Sequence, residues 1–584
     1  MRFVFALSFF VFTLQSFSQI IPQERRFDWT LAGLRDTSTT AFNIIDLQDY
    51  GINGDGINPN DAILNYVLDS IGDSGNILIF PTGSFLFNSS ISLPENTVLR
   101  GQGNNLTKVL IHLNGNGHGI VIQGSIDTQT LDLNENGIKD STHVFVNSQD
   151  FEIGDWIKIS MDDDDLVTST WALKTVGQIC QIEDIEDDRL MLSSPLRLNF
   201  SLTRNPYVQK ISTKQNIGIE CLSIERLDNT APAQSSVIYL NYAVNCWING
   251  IESNKCTFSH VELMNSSNIS VANSYFHHAH EYGSGGRAYG VTLHFTSNEC
   301  RIENSVFEHL RHSMLLQAGA NGNVLSYNYS LDPFWSSVPN NSAGELVLHG
   351  NYPFLNLFEQ NHVQNMIIDN SHGPNGPYNT FFRNRADLYG LIFTADNSPN
   401  QNIVGNEITN MEIPYSVVNY IIQGEDHFIY GNNNKGTIDP ENTQNLEDLS
   451  YGYSQQAPFV QNDQWAAIGP PSLLASSTIP AYESYSEGLS TMNLCTQNVI
   501  NYAYDLTKGS IKLFPNPFEN VLRIESEFEL KELKVFNIYG QEMIAKKLNK
   551  NAIELSTFEW IPGTYFVHIQ IGKEYYVNKV IKAG

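Results

Sequence analysis

"CRIENSVFEHLRHSMLLQAGANGNVLSYNYS", residues 300–330, holds one full structural period and the start of the next. A short apolar run closes on an asparagine, a polar loop follows, a second apolar run ends on a glutamine, and the first pattern returns. Runs of three to six residues are too short for helices and fit buried strands. Working outward, "NISVANSYF", "CRIENSVF", "NVLSYNYS", "LNLFEQNHV", "NTFFRNRADL" and "QNIVGNEI" align as one strand family. Their asparagines (Asn273, Asn304, Asn328, Asn361, Asn384, Asn406) recur at roughly 22 to 33 residues, the period of solenoid rungs with loop insertions. Asparagine tolerates left-handed backbone, and stacked amides can hydrogen-bond from rung to rung. The expectation is a structural asparagine ladder.

The second strand family aligns without gaps as "GVTLHF", "SMLLQA", "ELVLHG", "NMIIDN", "GLIFTA" and "NYIIQG". The residue after each apolar pair forms a column: His294, Gln317, His349, Asp369, Thr394 and Gln423, extended backwards by Asn241 and Glu262. Parallel strands stack about 4.8 Å apart, so this column becomes a polar stripe along the solenoid. A His-Gln-His-Asp centre is unlike ordinary turn chemistry, which favours Gly, Asn, Asp and Ser.

The start of the body, residues 46–103, carries Gly54-Asp55-Gly56, Asp61, Pro81, Gly83 and Gly101-Gln102-Gly103 around a helix expected over Asp61–Ile71, with Ile63, Tyr66, Val67 and Ile71 at helical spacing. This resembles the opening of the pectate-lyase-like, polygalacturonase-related superfamily. The resemblance implies an all-β fold, a right-handed parallel β-helix with an N-terminal capping helix, here over about 40–500. One such fold hosts many activities. Residues 143–200 interrupt the rungs and read as a small antiparallel insertion in which Trp156 and Trp171 could cover one end of a substrate groove, with core packing the favoured reading.

Both ends carry addresses. Met1-Arg2, the apolar Phe3–Phe12 and Ser16-Phe17-Ser18 describe a signal peptide over 1–18, too short to span a bilayer. At the other end, Pro515-Asn516-Pro517, Leu522, Gly540, Pro562-Gly563-Thr564-Tyr565 and the basic Lys579–Lys582 resemble the C-terminal sorting domain of Bacteroidetes type IX secretion cargo, over about 509–584. That resemblance implies a small β-sandwich-like domain, the secretion machinery as partner, and a secreted or cell-surface location. No later segment reaches the length of a membrane helix. The net charge of −29 argues against nucleic acid, which needs clustered Lys and Arg. The chain is expected to act as a monomer on a polysaccharide. Its six cysteines contain no CxxC pair, so a zinc-cysteine site is not expected. Asp132, Asn134, Asn136, Gly137 and Asp140 imitate half an EF-hand loop, with His143 in place of the acidic twelfth residue; the cofactor is left open, calcium being the one candidate, with the missing acidic ligand against it.

The loops on one flank of the polar column are rich in His, Arg and carboxylates, from "HHAHE" (277–281) through "FEHLRHS" to "RADLYG". A lyase acting on uronic acids needs a neutraliser for the substrate carboxylate, a base and an acid. Arg287, Arg311, Arg383 and Arg385 are candidates for the first, with His294, His312 and His349 for proton transfer. Trp335 and His372 are further candidates for substrate binding, with Asp369 and Glu345 orienting the histidines. A glycoside hydrolase needs two carboxylates, for which Asp332, Glu345, Asp369 and Asp387 are available. A zinc site on "HHAHE" lacks His-x-x-x-His spacing, and no metal site is expected. The reading is a carbohydrate-active enzyme with β-elimination slightly favoured over hydrolysis, and a glycan-binding adhesin as the alternative.

Overall fold

A computed structural model describes residues 19–35, 42–72, 75–229, 234–283, 285–334, 344–418, 420–488 and 511–582, apart from short breaks at 516–517, 519, 538–541, 559 and 572–573. The signal peptide and Trp335 lie outside the described residues.

The body is a right-handed parallel β-helix, and the reason is visible strand by strand. Thr97–Arg100, Gly218–Glu220, Trp247–Asn249, Ser270–Ala272, Arg301–Glu303, Val324–Ser326, Leu357–Glu359, Thr380–Phe382, Asn402–Val404 and Phe428–Tyr430 pair in that order, all parallel. Their middle residues Leu99, Ile219, Ile248, Val271, Ile302, Leu325, Phe358, Phe381 and Ile403 stack into one core shared with the second strand family. Each rung thus buries the apolar residue its neighbour cannot bury alone.

The asparagines divide into two positions. Register places Ala272, Glu303, Ser326, Glu359, Phe382 and Val404 opposite one another. The ladder that follows is therefore Ser274, Ser305, Asn328, Asn361, Asn384, Asn406 and Asn432. Asn273 and Asn304 belong one residue earlier, to the left-handed turn position, where φ is 53° and 45° and where later rungs carry Tyr327, Gln360 and Arg383 at 54–55°. Alignment on asparagine alone merges two columns that the turn keeps apart. In the true ladder each Oδ1 accepts the previous rung's N–H and Nδ2–H, as Asn361 does from Asn328 at 3.1 and 3.0 Å. A second ladder, not read from the sequence, runs through Asn323, Asn356, Asn379 and Gln401 at the other end of the same strands.

The helix forms at Asp61–Ser70. Leu64 and Val67 are its buried residues, while Tyr66, expected on the apolar face, is 66% exposed. The insertion is antiparallel as expected but wider, its strands running from Ser125–Ile126 to Tyr207–Ser212. The calcium-like loop is built into it: Asn136 Oδ1 accepts Leu202 N–H at 2.7 Å, and Gly137 bridges Phe200. Cys180, Cys246, Cys256 and Cys300 are buried and free; Cys221 is disulfide-bonded.

The C-terminal unit is a five-stranded antiparallel sheet of Ile511–Phe514, Val521–Asn537, Glu542–Ser556, Gly563–Ile571 and Glu574–Lys582. Phe518, Leu522, Ile524, Leu533, Val535, Trp560, Tyr565 and Val567 form its own core. Among the described residues no helix is long and apolar enough to cross a membrane.

Candidate functional site

In the second strand family, alternate residues face inward. Val291, Leu293, Met314, Leu316, Leu346, Leu348, Met366 and Ile368 belong to the core, so the residues following them project outward. Register gives the outward column as Gln123, Asn241, Met264, His294, Gln317, His349, Asp369, Thr394 and Gln423. Glu262, expected in the column, sits opposite Thr292, two residues earlier. Because side chains repeat every second residue, it keeps the same face and leans to His294, whose Nε2 lies 3.0 Å from its Oε1.

The column's centre is a hydrogen-bonded pair. His349 Nδ1 lies 2.6 Å from Asp369 Oδ2, and Ser371 N–H donates to Asp369 Oδ1 at 2.9 Å. Burial pushes the Asp369 carboxyl up, but His349, through its electrostatic pull and hydrogen bond, and the Ser371 N–H together hold it below the ordinary range. Two further imidazoles flank His349: His312 at 5.5 Å and His372 at 5.0 Å between ring centroids. Burial, with the charges of His349 and Arg311, brings His312 down to about 3, so it is neutral at working pH. His372 is lowered by burial and by His349. Gln317 donates to His294 Nδ1 at 3.3 Å. Its buried Oε1 has no hydrogen-bond partner among the described residues. Among the described residues the His349 ring hydrogen-bonds through Nδ1 alone. Arg311 lies over the Tyr289 ring at 5.9 Å and donates to the Gly283 carbonyl.

Other expected site residues are placed elsewhere. Arg383 is 1% exposed and donates to the carbonyls of Asp448, Ile468 and Leu446 at 2.8–3.0 Å; it ties a later segment to the rungs and does not face a groove. Arg385 is buried against Glu407 and the Ser477 carbonyl. Glu345 is fully buried and accepts the N–H groups of Gln364 and Asn365; desolvation raises its carboxyl well above the usual range. Arg287 pairs with Glu281 on an exposed loop. Asp332 pairs with His309 at 2.7 Å, on the outward face of the neighbouring strand family, and Asp387 with His362 at 2.9 Å. "HHAHE" divides the same way: His277 bonds Glu252 at 3.0 Å and His280 the Arg226 carbonyl at 2.8 Å. Among the described residues no three His, Cys, Asp or Glu side chains converge as metal ligands.

The insertion supplies two groups: Trp171, which the sequence offered to a groove but favoured for the core, and Lys158, which sequence reasoning missed. Trp156 is buried as expected, but Trp171 is 45% exposed and lies 5.2 Å from His372 and 5.7 Å from Phe295. Lys158 donates to Asn265 Oδ1 at 2.9 Å, the residue after Met264 of the column, and burial pushes its ammonium down to about 8. No periodicity in the insertion announces either contact, since each spans more than 100 residues of sequence.

Residues 44–185 match the family model described as "Rhamnogalacturonase A/epimerase, pectate lyase-like", and residues 512–583 match "Secretion system C-terminal sorting domain". The chain thus joins a pectate-lyase-like β-helix to a type IX sorting domain, which marks it for export to the cell surface or beyond. No curated protein matches the sequence. Solved structures that resemble it include the tailspike gp49 of Pseudomonas phage LKA1 (14% identity, 66% of this chain and 79% of that one, TM-score 0.41). An exopolygalacturonase from Thermotoga maritima (11%, 70% and 95%, 0.38) and PfbA, a surface adhesin of Streptococcus pneumoniae (12%, 67% and 92%, 0.34), are others. At these values the likeness speaks to neither substrate nor reaction.

Proposed function

We propose that the protein is an exported carbohydrate-active enzyme that cleaves an acidic polysaccharide by β-elimination, with His349 as its base. The observation that carries this is the Asp369–His349 pair, with Nδ1 held by the carboxylate and Nε2 left for substrate. A uronic acid carries an acidic C5 proton beside its carboxylate. His349 Nε2 takes that proton, Asp369 stabilises the imidazolium, the C4–O bond breaks, and a C4–C5 double bond forms. The imidazolium is then the nearest acid for the departing oxygen, so the proton returns to the leaving chain and the base is regenerated. Arg311 neutralises the carboxylate, which is what makes the C5 proton removable. Gln317 Oε1 accepts a sugar hydroxyl.

Hydrolysis needs two carboxylates free to flank the bond. Of the four candidates, Asp332, Asp369 and Asp387 are each bonded to a histidine and Glu345 is enclosed in the core. That favours elimination over hydrolysis. The test is to incubate the protein with a panel of acidic and neutral polysaccharides, following reducing ends together with the ultraviolet absorbance of unsaturated products. Both signals, lost in His349→Ala with the fold retained, are expected. New ends without absorbance would make the protein a hydrolase, and full activity in His349→Ala would remove the base.

A further inference from the structure

The insertion ends one of its turns on Trp171, and the turn is fixed to the rungs that carry the His349–Asp369 pair. Asn351, two residues beyond His349, turns its Oδ1 to accept the N–H groups of Thr168 and Ser169, both at 3.1 Å. Thr168 Oγ1 donates to the carbonyl of His372 at 2.9 Å, and that same carbonyl accepts Asn351 N–H at 2.8 Å. On the far side the buried carboxylate of Asp163 accepts Lys174 N–H at 2.8 Å and Val176 N–H at 2.9 Å. Thr175 Oγ1 donates to the Ala172 carbonyl at 2.6 Å. A short one-turn segment, Thr170–Ala172, is therefore held from both ends. A large indole held this firmly yet 45% exposed is not placed by core packing.

From these contacts we infer that Trp171 is a stacking platform for a pyranose ring of the glycan, seated next to the ring that meets His349. This rests on the carbohydrate reading above and extends it to a named subsite. Two ring contacts lead from the platform to the base: Trp171 to His372 at 5.2 Å and His372 to His349 at 5.0 Å. A sugar presents an apolar C–H face and a rim of hydroxyls. Here an aromatic surface adjoins a polar column of Gln317, His349 and Asp369, which meets both requirements at once. A protein or lipid partner would need a broader apolar surface than one indole beside histidines. The indole adds binding without touching the reacting atoms, so its effect falls on affinity and not on the chemical step. Trp171 is a substrate-positioning residue.

The test uses the full chain in native gels cast with soluble polygalacturonate, rhamnogalacturonan, alginate or a neutral glucan, alongside turnover of the same glycans. Trp171→Ala is expected to lose retardation by at least tenfold in apparent Kd, and Trp171→Phe to stay within about threefold of the parent. On a cleaved glycan, Trp171→Ala raises KM about tenfold with kcat within about threefold. His349→Ala keeps its retardation while losing turnover. Retardation of Trp171→Ala equal to the parent overturns the subsite. A glycan that binds through Trp171 but is not cleaved sustains the subsite and refutes the lyase. If no glycan either retards or is cleaved by the parent, both fall.

Discussion

Replacing Asn361 by alanine isolates what the amide ladder contributes. Its side chain is fully buried, and it makes four side-chain hydrogen bonds across three rungs. Oδ1 accepts Asn328 N–H and Asn328 Nδ2–H; Nδ2 donates to the Leu325 carbonyl and to Asn384 Oδ1, both at 2.8 Å. Truncation orphans two N–H donors on Asn328 and removes one donor from Leu325, while Asn384 Oδ1 keeps the Asn361 N–H at 3.1 Å. At about 1–3 kcal/mol for each orphaned buried group, the loss is about 4 kcal/mol. Asn273→Ala is the control. That residue is half-buried at a turn, water can replace its partners, and the cost falls to about 1–2 kcal/mol, chiefly for an alanine at φ 53°. Urea unfolding of both variants measures the difference, with hydrogen exchange at the neighbouring rungs reporting whether the loss is local. Solenoids respond rung by rung, so exchange should accelerate around Asn328 first. Asn361→Ala within 1 kcal/mol of the parent would refute the ladder as a source of stability.

Asp369→Asn keeps the shape of the pair but removes the charge that stabilises the imidazolium; kcat should fall about 10²–10⁴-fold with the melting temperature nearly unchanged, read by turnover and calorimetry. Lys158, at about 8 in the folded chain against an unfolded value of 10.5, binds a proton more readily when unfolded, so stability rises with pH through that window. At neutral pH the buried charge costs up to about 3 kcal/mol. Lys158→Met should therefore stabilise by about 2 kcal/mol near pH 7, after about 1 for the Asn265 Oδ1 it leaves unmet, and the gain should vanish above the unfolded value; no change in urea midpoint at pH 7 would contradict it. His260 acts with the same sign in a more acidic window. Burial and the charge of His277 bring it to about 3, with Ser253 at Nδ1 and the His278 carbonyl at Nε2 fixing one neutral tautomer. Its folded value lies below the unfolded 6.5, so stability is complete above 6.5 and about 2 kcal/mol is lost by pH 5; His260→Gln should flatten that slope in urea titrations at the two pH values.

The parallel solenoid was legible because its signal is local: each rung repeats the same short apolar runs, and a column of polar residues follows from alternation alone. Register was legible only to within the ambiguity of the residue used to align it. Asparagine serves both the left-handed turn at Asn273 and Asn304 and the amide ladder one residue later, so matching on asparagine slipped two rungs by one position. Glu262 was misplaced by two residues, a shift that preserves the face and therefore the contact with His294. The arginines failed for a different reason. Arg383 and Arg385 lie in polar loops by every local measure, yet the carbonyls that enclose them come from 63 to 92 residues away. Trp171 was favoured for the core over a groove for the converse reason, since nothing near it reveals that Asn351 holds its turn at the edge of the column.

The stacking of parallel strands explains why the candidate chemistry can be written at a single strand position. Rungs about 4.8 Å apart bring side chains at the same strand position within hydrogen-bonding reach of one another. A base at one rung can thus be oriented by a carboxylate at the same position of the next, as His349 is by Asp369. Two histidines on adjacent rungs would repel once one is protonated, and Gln317 stands between His294 and His349. It donates to one and leaves an acceptor on the column. Each histidine draws its carboxylate from the side away from Gln317, Glu262 below and Asp369 above. The two carboxylates of the stripe are therefore held on the far sides of their histidines, and the uncharged Gln317 between the pairs is the centre where a substrate carboxylate would meet least repulsion. Arg311, on its loop beside Tyr289, is the cation available to that centre.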